Sequence, residues 1–163
     1  MGTESYTGKI NRKMSKKLRI VEVAAGREKA DLVLKNASYV NVFSNEICHG
    51  DIAVAEGLIV GMGVYSGETE VDVAGRIVLP GFIDAHIHLE SAMVSPQEFV
   101  KAVLPHGTTT VITDPHEIAN VMGADGIEYM LQATEGLPVD VRFMLPSCVP
   151  ATPMDESGAV LDY

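Results

Sequence analysis

Cysteine is scarce in this 163-residue chain: Cys48 and Cys148 are the only two, and they stand 100 residues apart. That excludes a disulfide framework and makes a reducing compartment, the cytoplasm, the expectation. Long apolar runs are missing too, so no bilayer-spanning segment is expected. The N-terminus is polar and basic without an apolar core, which gives no sign of a secretory leader. There is no internal repeat, and the 15 glycines and 8 prolines sit at turns rather than in low-complexity tracts. Basic residues are sparse beyond the first thirty positions. Residues 1–30 hold 8 of the 12 Lys and Arg against three acidic residues, a net of +5; residues 31–163 carry a net of −15. The basic arm is short and lacks interleaved aromatics, and the acidic body repels phosphate, so nucleic acid is not an expected partner.

What is present is enough for a real core. Apolar residues make up 47% of the chain, which argues against global disorder. Met14 to Gly26 reads as a short helix, with Leu18, Val21 and Val23 on an apolar stripe and Gly26 as its C-cap. From residue 30 to 76 the pattern turns to short strands: one or two in Asp31–Phe43, a hairpin in Gly50–Gly63 turning at Glu56-Gly57, and another strand at Glu70–Val73. After Arg76 the rhythm is strand, helix, strand, helix, strand. The strands are expected at Ile77–His88, Thr108–Thr113 and Val139–Leu145. Ser95-Pro96-Gln97-Glu98 and Asp114-Pro115-His116-Glu117 both read as capping boxes opening helices. Such alternation implies parallel strands. The expected organisation is a basic arm and helix over 1–29, a small β module over 30–76, and over 77–163 the first three βα units of an α/β barrel, which needs about 250 residues to close. A smaller open sheet is the alternative.

The chemistry concentrates in Val78-Leu-Pro-Gly-Phe-Ile-Asp-Ala-His-Ile-His-Leu-Glu90. Residues two apart on a strand share a face, so His86 and His88 project together, with Asp84 one step deeper; Ile83, Ala85 and Ile87 are expected to face a hydrophobic layer. Paired imidazoles at the C-terminal end of a barrel strand are a start on a divalent metal site, which needs at least one further ligand and an open position for water. Asp84 orients a histidine or bonds buried backbone. Glu90 lies past the strand end, and His116 and Glu117 lie at the matching rim of the next strand. The capping pattern alone would explain Asp114 and Glu117. His49 and His106 read as structural or exposed. Ser147 and Cys148 follow the third strand, with no base beside them in sequence that would make either a nucleophile. His88-Leu89-Glu90 formally matches the H-x-E of zinc nucleobase deaminases, but those need P-C-x-x-C, and no second cysteine follows Cys148.

The run Leu79–Ser91 resembles the first barrel strand of the amidohydrolase superfamily. Phe82–Met93, Ala102–Val111, Asp114-Pro-His-Glu-Ile-Ala-Asn120 and Ser147-Cys-Val-Pro-Ala-Thr-Pro153 together resemble its adenine deaminase family, from about Val21 onward. The resemblance implies an α/β fold with an N-terminal small β-sandwich followed by an incomplete (β/α)8 TIM-like barrel. It implies hydrolysis of adenine to hypoxanthine and ammonia at a binuclear manganese or iron site, with His86 and His88 as metal ligands. Glu90, His116 and Glu117 are the catalytic candidates, without individual roles. A cyclic-amide hydrolase of the same superfamily and a non-enzymatic truncated module are the alternatives. Family members are several times longer. Their ligands from strands four, five, six and eight have no counterpart here, so the chain alone is expected to be inactive. A homo-oligomer is expected, since an open barrel edge favours association.

Overall fold

The computed structural model describes residues 6–146, 149, 150, 159 and 161. Ser147 and Cys148 therefore lie outside the described residues. The chain divides into two compact units, residues 1–80 and 81–163.

The first unit opens with helix α1 (Tyr6–Ala24). It begins eight residues earlier than the sequence pattern suggests: the stretch ahead of Met14 holds no proline, and Lys9, Arg12 and Lys13 favour the helix against the weaker formers Thr7, Gly8 and Asn11. Its end follows expectation. Gly26 takes φ 71°, its N–H bonds the Val23 carbonyl at 2.9 Å, and the Arg27 N–H bonds the Glu22 carbonyl at 2.9 Å, a Schellman motif. Strands β1 (Ala30–Asn41), β2 (Glu46–Ala55), β3 (Leu58–Gly63) and β4 (Gly67–Asp72) form a sheet in the order β3-β2-β1-β4, with the short β5 (Ile77–Val78) also paired to β1. The β2–β3 hairpin turns at Glu56 (φ 53°) and Gly57 (φ 77°), the left-handed pair that a tight two-residue turn demands. Val23, Ala30, Val33, Ala53 and Ala55 are fully buried together. Tyr65 lies across Gly61, where a Cβ would stand 2.0 Å from its hydroxyl, and donates to the Ala24 carbonyl.

One polar cluster interrupts this core. Asp51 is 7% exposed. It accepts from the Lys35 ammonium and from the N–H groups of Asn36 (3.2 Å) and Tyr65 (3.3 Å). The irregularity in β1 between Leu34 and Ala37, with Asn36 at φ 57°, brings that N–H to the carboxylate. Lys35 first, then the two N–H groups, hold the Asp51 carboxyl below its ordinary pKa against the burial that raises it.

The second unit contains β6 (Phe82–Ile87), α2 (Pro96–Val103), β7 (Thr108–Thr113), α3 (His116–Met122), α4 (Ala124–Thr134) and β8 (Asp140–Phe143). The strands run parallel in the order β6-β7-β8, as the alternating pattern requires. Ser95 caps α2 by accepting from the Glu98 N–H, and α2 covers a core of Val100, Val111 and Val139. Two expectations need correction. Ile77–His88 is not one strand. Leu79-Pro80-Gly81 separates β5 from β6, because Pro80 has no N–H to give a ladder and Gly81 lies so close to Thr109 that a Cβ would stand 2.0 Å from its hydroxyl. Ile83 and Ala85 do not face an apolar layer. Ile83 is 64% exposed, because β6 is an edge strand among the described residues, and the α2 layer reaches only Ile87.

Gly126 marks where α4 crosses α3: a Cβ there would lie 2.8 Å from the Ile118 carbonyl oxygen and 2.9 Å from Ile118 Cγ1. Alanine would gain about 1 kcal/mol of helix propensity, but overpacking against backbone costs about 1–3 kcal/mol. Gly126→Ala is therefore expected to lower stability in urea denaturation. Asp51→Ala leaves two N–H groups without their acceptor and Lys35 with the Tyr65 carbonyl in place of a carboxylate, and is expected to cost about 2 kcal/mol. Because the folded-state pKa of Asp51 is depressed, its contribution is present above the ordinary carboxylate range and is lost as pH falls through the folded value. Wild-type stability should therefore drop more steeply on acidification than that of the Asp51→Ala variant.

Candidate metal centre

Strand period alone places His86 and His88 on one face, and the structure brings their rings together. The centroids are 5.0 Å apart and Nε2 lies 3.2 Å from Nε2. His88 is just past the end of β6 and is held from its other side. Its Nδ1–H donates to the Asp114 carbonyl at 2.9 Å, and a carbonyl can only accept, so Nε2 carries the lone pair. His86 Nε2 either donates a proton to that lone pair or, with its own lone pair, shares a cation with it. Nitrogens bound to one ion at about 2.0–2.2 Å stand about 2.9–3.4 Å apart, which is the spacing found here.

Strand β7 delivers the rest. Its last residue, Thr113, pairs with Ile87, so Asp114 and the start of α3 emerge beside the histidines. The His116 ring packs edge-on against His88 with centroids 4.7 Å apart, and His116 Nδ1 lies 3.3 Å from Asp114 Oδ2. Two overlapping donor groups result. His86, His88 and Asp114 form one, and His88, His116 and Glu117 the other, each with ligand atoms within 4.8 Å of one another. Asp114 Oδ1 and Glu90 Oε2 are buried with no hydrogen-bond partner among the described residues. Unpartnered buried carboxylate oxygens beside converging imidazoles fit a divalent cation, and a nitrogen-and-oxygen donor set without thiolate suits manganese, iron or zinc.

The capping box expected at Asp114-Pro115-His116-Glu117 does not form. Pro115 occupies the N-cap position of α3, Asp114 turns to His116, and the Glu117 carboxylate accepts from the Ser91 hydroxyl. The cap comes from another element. Glu90, in the 3-10 turn Glu90–Ala92, accepts the Ile118 N–H at 3.2 Å through Oε1. Asp84 bonds its own backbone, accepting from the His86 N–H at 3.2 Å. His49 meets Ser38 in the first unit. Thus all five candidates, His86, His88, Glu90, His116 and Glu117, gather at the C-terminal rim of β6 and β7. Asp114 and Ser91 join them. The capping reading masked Asp114, although its position one residue past a strand end was the available signal.

Glu90→Ala is expected to weaken the α3 cap by about 1 kcal/mol. Faster amide exchange at Ile118, with exchange in β7 unchanged, would confirm the assignment; unchanged exchange at Ile118 would refute it.

Residues 77–162 match the Amidohydrolase family. The chain is 58% identical over 141 residues to the adenine deaminase of Clostridium acetobutylicum, a match covering 86% of this chain and 25% of that protein. It is 56% identical over 144 residues to adenine deaminase 2 of Desulfotalea psychrophila, covering 88% and 25%, and 53% identical over 141 residues to the adenine deaminase of Bacillus subtilis, covering 86% and 24%. The chain thus spans about a quarter of the length of these relatives. With the family's match running over β5 to β8 and the histidine pair inside it, the chain belongs to the amidohydrolase family.

Proposed function

We propose that this chain is the N-terminal part of a metal-dependent adenine deaminase, which hydrolyses adenine to hypoxanthine and ammonia. The observation that carries the reading is the convergence of His86, His88, Asp114, His116 and Glu117 at one strand rim, in a chain more than half identical to proteins named adenine deaminase. On this reading the first unit is a small β-sandwich module, and the second supplies the first three βα units of a (β/α)8 barrel whose remaining ligands come from further sequence. Adenine is the small-molecule partner, the full enzyme is a cytoplasmic homo-oligomer, and the metal centre is binuclear manganese or iron.

When bound, a divalent cation supplies a water acidified enough to act as a nucleophile near neutral pH. His86 and His88 would hold that cation through Nε2, with the His88 ring fixed by the Asp114 carbonyl. Attack at C6 of adenine requires a proton to leave the water and another to reach the departing amine. Glu117 and His116 are placed for that traffic. The Ser91 hydroxyl orients one Glu117 oxygen, and His116, with Nδ1 3.3 Å from Asp114 Oδ2, keeps Nε2 for a proton or a ligand. Glu90 keeps Oε2 buried and without a partner among the described residues.

The 163-residue chain with manganese is expected to produce no hypoxanthine, and the full-length enzyme is expected to turn adenine over. In that enzyme, His86→Ala and His88→Ala should each cost more than the about 10–100-fold typical of losing a metal's outer partner. Full-length protein that leaves adenine untouched with manganese or iron would refute the assignment.

A further inference from the structure

We infer that Ser91 is a positioning residue for Glu117, tying the first turn of α3 to the histidine end of β6. This inference rests on the deaminase reading for its catalytic consequence, but its geometry stands apart from it.

Ser91 reaches both halves of the site. Its backbone N–H bonds the His88 carbonyl at 3.2 Å, and its Oγ–H donates to Glu117 Oε2. The turn that carries it is anchored rather than loose. Leu89, 2% exposed, is sunk beneath it and gives its N–H to Thr113 Oγ1. The Ala92 and Met93 N–H groups close the turn on the Leu89 and Glu90 carbonyls, and Met93 ends it in the left-handed conformation at φ 56°. Beside Ser91, Glu90 holds α3 at the Ile118 N–H. The turn therefore grips α3 twice, once at its backbone and once at the Glu117 side chain.

Those two grips differ in what they do. The Glu90 contact fixes where the helix starts. The Ser91 contact fixes how Glu117 points. A free glutamate samples several rotamers and exchanges its two oxygens by rotation about χ3. A hydroxyl bonded to Oε2 removes that freedom and holds the carboxylate beside the His88 and His116 nitrogens, which lie within 4.8 Å of a Glu117 oxygen. Preorientation of this kind is the usual task of a metal site's outer partners, whose loss costs about 10–100-fold in affinity or activity. An aspartate or alanine at position 91 would carry no hydroxyl to donate; a threonine would.

Two measurements test this. In the 163-residue chain, side-chain order at Glu117, read from NMR relaxation, is expected to fall in Ser91→Ala and to be kept in Ser91→Thr. In the full-length enzyme, Ser91→Ala is expected to lower kcat about tenfold with KM within about twofold, while metal content and melting temperature stay at wild-type values. Ser91→Thr should recover most of the lost kcat. Unchanged Glu117 order in Ser91→Ala would overturn the inference. So would a kcat loss that tracks metal content or melting temperature, or a Ser91→Thr variant as damaged as Ser91→Ala. If the wild-type full-length enzyme does not deaminate adenine, the deaminase reading fails, and the Glu117 order measurement alone decides the role of Ser91.

Discussion

The hydrogen bond from His88 Nδ1–H to the Asp114 carbonyl is the contact on which the site depends. It joins the residue just past the end of β6 to the residue just past the end of β7. In one stroke it chooses the His88 tautomer, aims Nε2 at His86, and sets Asp114 and the first turn of α3 against the histidines. Parallel pairing makes the bond available. Ile87 stands opposite Thr113, so the two strands expire at the same level and their following residues meet. Each strand alone would present a short polar tail; paired, they present a cluster.

The rest of the second unit serves that registry. α2 covers the sheet through Val100 and so holds Ile87 and Val111 in place. The 3-10 turn after β6 crosses to α3 and supplies the cap that the local sequence does not, since Pro115 stands where a capping side chain would be. Gly126 lets α4 approach α3 at backbone distance. The first unit has a separate logic. Its hairpin and its buried Asp51 cluster hold a sheet together through Lys35 and two backbone N–H groups, and α1 is fastened to it by Tyr65 and by Arg19, which meets Glu28, Asp31 and Glu56.

Much of this was legible in the sequence wherever one local rule sufficed. The period of two put His86 beside His88. Glu56-Gly57 announced the hairpin, Gly26 the helix end, and the β-branched run Thr108–Thr113 matched β7 at both ends. What was not legible depended on contacts between distant residues. Asp114-Pro-His-Glu fits a capping box as a string, and only the arrival of Glu90 and Ser91 from 26 or more positions away shows that the box is open. The apolar run Ile77–His88 looks continuous by composition, yet Pro80 and the close approach of Gly81 to Thr109 divide it. Exposure of Ile83 follows from the edge position of β6 among the described residues, and alternation along one strand cannot reveal that.

The central claim is that His86 and His88 present their Nε2 atoms to one divalent cation. Electron–nuclear double resonance on manganese bound to the full-length enzyme, with imidazole nitrogens isotopically labelled, addresses it directly. The account predicts strong coupling to at least two histidine nitrogens, reduced by one in His86→Ala and again in the double variant with His88→Ala. Manganese bound without histidine-nitrogen coupling, or with coupling that both substitutions leave intact, would contradict it.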